Sequence, residues 1–455
     1  MLDVIACSQQ PLFGRNPVCS GGRQLLLQRG SSENSRMSTE DAETKSVSCH
    51  AYMRAMPSDM CTSLTVQLSH ECRCNSKKHI SIDDAVMSLM DIIQKNGVYF
   101  ELWLQKVLKG QAEHIFNITK VGDPDVLIFY LFPFISAVHR ILFLRFVLVT
   151  ALCDIINNIM KWMLHGERPY WWIYESGTYV VPPSLKQFPL SCETGPGSPS
   201  GHTMITTAVW YIVVWAYIKY VIGKSRQRFL LSTCAWCLYG LLFVLVAVSR
   251  LYIGAHFPHQ VLLGGIIGFF FGWLFTRLQV GMLRMKHCLL TVLGLVILAV
   301  IVYNGMILCG VDPEWSVKLA LKHCVDPSWV HLTTTPLNAL FRDCGAIIGV
   351  GFAVESKYFI ETSGVLHRDG SEVITSVVSL LLVQLCSHIP RPVHNLTLYY
   401  LGTFAQYCCI TFVSVALVPY VVKTIWNLKQ FPKSVGSMGP GLFRSMARRK
   451  VTANF

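Results

Sequence analysis

Charged residues are scarce in this sequence. Asp, Glu, Lys and Arg make up 14% of its 455 residues, whereas 52% are hydrophobic, and about 25% of a typical soluble domain is charged. A soluble globular protein is therefore not expected. Apolar stretches of the roughly 20 residues that a bilayer-spanning helix needs recur from Val126 to the neighbourhood of Lys423. Because only helices or closed barrels satisfy the backbone in lipid, the sequence predicts an all-α, polytopic membrane helical bundle.

Acidic residues are scarcer than basic ones: 26 Asp and Glu stand against 39 Lys and Arg, a formal net charge of +13. In a soluble chain such an excess raises the question of nucleic acid. Here the cations lie mainly in short loops between apolar stretches and in the segment from Lys423 to Lys450, as membrane orientation requires. We therefore expect membrane lipid as a partner and no nucleic acid.

The first 86 residues lack an apolar block of signal-peptide length and are rich in Ser, Gln and Arg. They are predicted to be a disordered N-terminal extension. The spacing of Cys61, Cys72, Cys74 and His79 fits no standard zinc pattern, and we expect no metal and no cofactor. Few disulfides are expected, because the later cysteines lie mostly inside apolar stretches, where Cys behaves as a small hydrophobe.

The apolar stretches predict about nine transmembrane helices in a membrane-embedded domain at residues 87–424, followed by a basic cytoplasmic tail at 425–455. The apolar run from Val126 to Leu164 is too long for one crossing, and we divide it at His139 and Arg140. The predicted spans are residues 124–139, 142–162, 203–222, 229–248, 258–276, 288–308, 338–354, 373–390 and 399–424.

Alternation of these spans predicts which loops share a side of the membrane. One face receives most of the loop cations, Arg145 and Lys219 among them, and the positive-inside rule makes that face cytoplasmic. The loops at 163–202 and 249–257 then lie on the opposite face, together with the N-terminus.

Three polar motifs lie on that non-cytoplasmic face. The first places Lys161 at the end of a span and Arg168 seven residues later. Two helical turns would give both side chains a similar direction, so that both cations could hold one anion. Alternatively, Lys161 snorkels to the headgroups and Arg168 anchors the interface beside the aromatic residues that follow it.

The second motif, Pro-Ser-Gly-His at 199–202, stands immediately before an apolar span. The free N–H groups and the dipole of a helix N-terminus form an anion site, and Ser200 and Gly201 would lie at that mouth together with His202. A capping or interfacial role is the plainer alternative for His202.

The third motif runs from Arg250 to His256. Gly254 and Pro258 can bend the chain between two spans, so that both side chains reach one pocket. A snorkelling arginine and interfacial histidines would explain this motif alone. All three motifs together place cations and histidines on one side of the membrane. Binding of a phosphate there would explain all of them.

In order and spacing, K-x6-RP, PSGH and SR-x5-H resemble the signature of the phosphatidic-acid phosphatase and haloperoxidase superfamily. From about Met90 to Lys423 the chain is similar to the glucose-6-phosphatase catalytic subunit family. This resemblance rests on GERPYWW (166–172), QFPLSCETGPGSPSGH (187–202), SRLYIGAHFPHQ (249–260) and DPSWVHLTTTP (326–336).

The resemblance implies a membrane-embedded phosphatase in which His256 is the nucleophile that forms a phosphohistidine and His202 is the proton donor to the departing sugar oxygen. The phosphoryl oxygens would be bound by Lys161, Arg168 and Arg250, with help from the backbone near Ser200 and Gly201. No metal is implied.

Two questions about the nucleophile follow. The spacing from Arg250 favours His256 over His259. In the superfamily an Asp often follows the nucleophilic histidine by four residues and orients its ring, but this chain has Gln260. Either the Gln260 carbonyl accepts the imidazole N–H without a charge, or an acid such as Asp123 or Asp154 takes its place.

The resemblance further implies hydrolysis of D-glucose 6-phosphate in the endoplasmic reticulum lumen, and hence a part in gluconeogenesis and glucose homeostasis. It also implies coupling to a separate glucose 6-phosphate transporter. A lipid phosphate phosphatase and a weakly active or silent paralogue are the alternatives. Sequons at Asn117 and Asn395 lie on the predicted lumenal face and make the chain a candidate glycoprotein.

Overall fold

The computed structural model describes residues 82–223, 225–362, 370–392 and 394–430. These residues form α-helices, π-helical segments and 3-10 turns, and none of them forms a strand. The predicted all-α class is confirmed. The predicted extension lies outside the described residues up to residue 81, and the predicted tail lies outside them from residue 431. Residues 82–86 begin the first helix.

Sixteen α-helices are present within the described residues. They are α1 (Ile82–Val107), α2 (Ala112–Val121), α3 (Pro124–Val126), α4 (Phe132–Val138), α5 (Arg140–Leu164), α6 (Pro169–Glu175), α7 (Gly201–Ala216), α8 (Arg228–Tyr252), α9 (Pro258–Arg277), α10 (Met285–Leu308), α11 (Trp315–His323), α12 (Pro336–Glu355), α13 (Lys357–Thr362), α14 (Ser371–Ser387), α15 (Leu396–Phe412) and α16 (Val418–Gln430). The π-helical segments are Leu127–Leu131, Tyr217–Ile222 and Val413–Leu417.

Seven helical segments of the described chain are long and apolar enough to cross a membrane. They are Arg140–Glu175, Gly201–Ile222, Arg228–Tyr252, Pro258–Arg277, Met285–Leu308, Pro336–Glu355 and Leu396–Asn427. Each matches a predicted span. The predicted spans 124–139 and 373–390 fall instead on shorter apolar helices, Leu127–Ala137 and Ser371–Ser387. The chain is thus a polytopic membrane protein, and the number of nine spans is not confirmed.

The helix is interrupted where the first long apolar run was divided. His139 has an extended backbone (φ −154°, ψ 103°) between α4 and α5. Its Nδ1 accepts a hydrogen bond from the backbone N–H of Leu142 (3.1 Å) and so caps α5.

Helices α7 and α9 cross closely because α9 presents a row of glycines to α7. A Cβ on Gly268 would lie 2.1 Å from the carbonyl oxygen of Met204, and one on Gly264 would lie 2.5 Å from the carbonyl oxygen of Ser200. Gly272 continues this row one turn further along α9. Residues four apart share a helix face, and small residues let membrane helices approach closely. The crossing sets the position of the α7 N-terminus.

The bundle brings the three motifs to one end. Helices α5 and α8 end there, whereas α7 and α9 begin there. At the opposite ends of these helices, Arg145 donates hydrogen bonds to the carbonyl oxygens of Phe275 (2.5 Å) and Leu278 (2.8 Å). The ammonium of Lys219 lies 4.7 Å from the centre of the Trp215 ring at that same end. Cations predicted to be cytoplasmic therefore lie away from the motifs.

Substitution of Gly268 by Ala should destabilise the protein. Its Cβ would lie 2.1 Å from the Met204 carbonyl oxygen, so α9 has to move away from α7, and overpacking of this kind costs about 1–3 kcal/mol. The melting temperature in detergent micelles should fall. Gly294→Ala on α10 is the matched control, because nothing lies within 4 Å of its added Cβ. An unchanged melting temperature for Gly268→Ala would contradict the close crossing.

Candidate active site

Lys161 and Arg168 stand on either side of a helix end. Helix α5 ends at Leu164, and His165 follows it with a left-handed backbone (φ 47°). Arg168 has an extended backbone (φ −112°) immediately before Pro169, the first residue of α6. The predicted reason for their alignment, two turns of continuous helix, is therefore wrong, because the chain leaves the helix between the two cations.

The Arg168 guanidinium is fully buried and is held by backbone carbonyl oxygens. Nε donates to Gly195 (2.6 Å), Nη1 to Ala255 (3.0 Å) and Nη2 to Pro196 (3.3 Å). Nη1 also lies 2.9 Å from Oε2 of Glu193. Because a guanidinium carries its donors in a rigid fork, these contacts fix both its plane and its direction.

Arg250, in the last turn of α8, is also buried and reaches the same carboxylate. Its Nη2 donates to Oε1 of Glu193 in an ion pair, and its Nη1 donates to Oγ1 of Thr119 at 3.2 Å. Its Nε has no hydrogen-bond partner among the described residues. Arg250 thus keeps a buried donor available for a further acceptor.

Lys161 brings a third cation to the site from the last turn of α5. Its ammonium nitrogen would lie 3.8 Å from a Cβ on Gly195 and 4.0 Å from a Cβ on Gly201. The charges of the Glu193 and Asp154 carboxylates act on it. An anion bound between the two glycines would bring a further negative charge close to it.

His256 lies in the loop between α8 and α9 and is fully buried. Its Nδ1 lies 2.7 Å from the carbonyl oxygen of Gly197. Because a carbonyl can only accept, Nδ1 carries the proton and Nε2 keeps its lone pair. Nε2 lies 3.5 Å from Nη1 of Arg168. Burial, followed by the charge of Arg168, lowers the pKa of His256 to about 3, so the ring is neutral near pH 7, as a nucleophile requires.

His259 lies in the first turn of α9 and belongs to a different environment. Its ring stacks on Phe257, with the two ring centres 5.8 Å apart. Of the two histidines, His256 is the one that contacts an arginine of the site, Arg168.

Gln260 is engaged away from the His256 ring. Its amide nitrogen donates to the carbonyl oxygen of Glu167 (2.7 Å), and its amide oxygen accepts from the backbone N–H of Phe257 (3.1 Å). A Cβ on Gly197 would lie 2.8 Å from that amide oxygen and 2.3 Å from the Glu167 carbonyl. Gln260 therefore links Glu167 to the residue that follows His256, and Gly197 packs closely against it.

The two acids considered in place of Gln260 have other partners. Asp154 forms an ion pair with Arg342 inside the bundle. Asp123 accepts a hydrogen bond from the backbone N–H of Asp125 (2.8 Å), and burial, followed by the charge of Asp125, raises the pKa of Asp123 to about 6. The expectation that Gln260 or one of these acids accepts the ring N–H is wrong, because the backbone carbonyl of Gly197 accepts it.

Ser200, Gly201 and His202 form the mouth of α7, as the second motif predicts. Helix α7 begins at Gly201, and the first N–H groups of a helix lack intrahelical acceptors. The Ser200 Oγ is buried and has no hydrogen-bond partner among the described residues. The His202 side chain is 18% exposed, and its Nδ1 lies 3.6 Å from Oε1 of Glu193. The mouth thus offers a hydroxyl, N–H groups and an imidazole to one site.

Glu193 is the site residue that the sequence analysis missed. It contacts both arginines and both histidines of the site. Burial raises the pKa of its carboxyl, but Arg250 and Arg168 more than offset this and hold that pKa well below its ordinary value. A signal was present, because Glu193 is the only acid between Glu175 and Ser200.

The backbone around Glu193 is fixed on both sides. Cys192 forms a disulfide with Cys324, with the two Cα atoms 5.8 Å apart, and it is the one disulfide among the described residues. The hydroxyl of Tyr170 donates to the carbonyl oxygen of Glu193 (3.1 Å). The loop between α6 and α7 is thereby tied to α6 and to the segment that follows α11.

These side chains give the site the chemistry of anion binding next to a nucleophile. Two arginines share one carboxylate, Lys161 adds a third positive charge, and a neutral imidazole nitrogen lies beside Arg168. No group of three or more His, Cys, Asp or Glu side chains in the described part of the chain could hold a metal ion. Developing negative charge on an anion would be stabilised by the cations and by N–H groups that are already in place.

Comparison with known proteins places the chain among phosphatases. The model of the PAP2 superfamily matches residues 142–282. Glucose-6-phosphatase 2 of Mus musculus is 34% identical over 343 residues, which are 73% of this chain and 97% of the relative. For glucose-6-phosphatase 3 of Homo sapiens the identity is 36%, over 67% of this chain and 88% of the relative. For glucose-6-phosphatase catalytic subunit 1 of Haplochromis nubilus it is 33%, over 76% and 100%.

Substitution of Gln260 by Glu should impair phosphate release. The variant loses the donor to the Glu167 carbonyl and places a carboxylate against it, which displaces the Gly197 carbonyl from His256. A misplacement of about 1 Å can lower the rate about a hundredfold. Gln111→Glu, an exposed residue before α2, is the control and should keep full activity. Unchanged turnover in Gln260→Glu would show that Gln260 does not position the ring.

Proposed function

The chain belongs to the glucose-6-phosphatase family, and we propose that it hydrolyses D-glucose 6-phosphate to D-glucose and inorganic phosphate. The observation that carries the proposal is the convergence of Lys161, Arg168 and Arg250 on the space beside a neutral His256. A phosphate monoester brings the negative charge that these cations need. The relatives that match over most of their length bear the name of this activity.

In the first step, Nε2 of His256 attacks the phosphorus atom, and the bond from phosphorus to the sugar oxygen breaks. His202 donates a proton to that oxygen, so that glucose leaves as an alcohol. The Gly197 carbonyl keeps the proton of the nucleophilic ring on Nδ1, and it accepts a stronger hydrogen bond as the ring becomes positive.

In the second step, water attacks the phosphohistidine, and His202, now neutral, accepts a proton from that water. The bond between Nε2 and phosphorus breaks, inorganic phosphate forms and His256 returns to its neutral state. Throughout, Lys161, Arg168 and Arg250 would bind the phosphoryl oxygens with the Ser200 hydroxyl and the N–H of Gly201. Three cations here supply the charge stabilisation that other phosphoryl transfers take from Mg²⁺.

We propose the endoplasmic reticulum membrane as the location, with the active site in the lumen and the substrate delivered by a glucose 6-phosphate transporter. Support comes from the separation of the site from the cations at the other end of the bundle, because the positive-inside rule assigns such cations to the cytoplasm. A lumenal product would serve glucose release in gluconeogenesis.

Replacement of His256 by Ala should abolish the activity. Removal of a nucleophile from such a site typically costs a factor of about a thousand or more. Phosphate release from glucose 6-phosphate is measured on purified protein, with His259→Ala in the adjacent first turn of α9 as the matched control. Full activity in His256→Ala would refute the mechanism. Release from phosphatidic acid, with none from glucose 6-phosphate, would instead identify a lipid phosphate phosphatase.

Hydrolysis in sealed microsomes tests the side of the membrane. A lumenal site should make glucose 6-phosphate hydrolysis latent in vesicles without the transporter, and detergent should release the full rate. Equal rates before and after detergent would place the site on the cytoplasmic side.

A further inference from the structure

The Glu193 carboxylate is bound as a phosphoryl group would be bound. Oε2 lies 2.9 Å from Nη1 of Arg168 and 3.6 Å from Nε2 of His256. Oε1 forms the ion pair with Arg250 and lies 3.6 Å from Nδ1 of His202. Each oxygen therefore meets one arginine and one histidine. The attacking nitrogen and its electrophile cannot meet while this carboxylate stands between them.

The carboxylate lies on the accessible side of the cations. The side chains of Arg168 and Arg250 are 0% and 1% exposed, whereas those of Glu193 and His202 are 16% and 18% exposed. An anion that enters from outside therefore meets Glu193 before it meets either arginine. At neutral pH the low pKa of Glu193 means that it does so as a carboxylate.

The loop that carries Glu193 is held in place, so a displacement of the carboxylate has to come from its side chain. The backbone is fixed by the disulfide of Cys192 with Cys324 and by the hydroxyl of Tyr170. Oγ1 of Thr194 also hydrogen-bonds Oγ1 of Thr334 at 3.0 Å. Rotation about the side-chain bonds of Glu193 is the remaining freedom.

We propose that Glu193 is a positioning residue that occupies the phosphoryl subsite, is displaced when the phosphate monoester binds, and returns when inorganic phosphate leaves. This inference rests on the proposed function. The carboxylate keeps both arginines paired between turnovers, which spares them an unpaired buried charge. Since it is attached to the chain, it competes with product at a high effective concentration. Glu193 thereby weakens the binding of phosphate, and it promotes product release.

Orthovanadate tests the inference, because it has the charge and shape of phosphate and its binding needs no turnover. When an internal competitor is removed, the dissociation constant falls to its apparent value multiplied by the fraction of molecules that the competitor had left open. The dissociation constant of orthovanadate should therefore fall about tenfold or more in Glu193→Gln. It is measured from the rise in melting temperature during titration of purified full-length protein.

Two further variants complete the experiment. Glu175→Gln removes the same charge from an exposed ion pair with Lys322 and should leave vanadate affinity unchanged. Glu193→Asp keeps the charge but is one methylene shorter, so it pairs less well with the two arginines and should give an intermediate dissociation constant. If Glu193→Gln does not fold, this Asp variant carries the test.

The direction in which the dissociation constant of orthovanadate changes distinguishes the proposal from a purely supporting role of Glu193. A carboxylate that only supports the arginines would, on removal, weaken vanadate binding, and that result or an unchanged affinity overturns the proposal.

In an active enzyme the inhibition constant of inorganic phosphate and the KM should both fall in Glu193→Gln, while kcat falls because product leaves more slowly. Tighter vanadate binding without hydrolysis of glucose 6-phosphate would refute the proposed function alone.

Discussion

Mutual repulsion of three buried cations is the constraint on which the site depends. Lys161, Arg168 and Arg250 come from three different segments, and burial weakens the screening that water would give them. Arg168 is therefore surrounded by three backbone carbonyls, and Glu193 is shared between the two arginines. Lys161 adds a third positive charge, on which Glu193 and Asp154 act, so the cations of the site outnumber the one carboxylate that the two arginines share.

Backbone carbonyls position several of the site residues, and glycines let other groups approach those carbonyls closely. No side chain fits at Gly197, where a Cβ would lie 2.3 Å from the carbonyl oxygen of Glu167, and this close approach lets the Gly197 carbonyl reach His256. Gly264 lets α9 pack against the carbonyl of Ser200 at the mouth of α7. The packing of α9 on α7 and the position of the active-site residues at the start of α7 thus depend on the same helix, α9.

Residue type and spacing pointed to the cations and histidines that the structure brings together, but not to Glu193 or to the contacts among them. Alternation of apolar spans was sufficient to bring Lys161, His202 and His256 to one end, because each motif lies at a span end. The path of the chain between Lys161 and Arg168 could not be predicted, since it depends on a left-handed residue at His165. Helix ends set by single residues are also why two predicted spans fell on shorter helices.

The partner of the His256 ring could not be read from side chains, because it is a carbonyl. This choice has an electrostatic consequence. When Lys161, Arg168 and Arg250 are counted against Glu193 and the histidines are left aside, the site has a net positive charge of about two, and an aspartate at position 260 would halve that excess. A carbonyl orients the ring without adding a negative charge, and so it leaves the attraction for a phosphate dianion undiminished. Gln260, neutral and engaged on both sides of its amide, is the residue type that this arrangement needs.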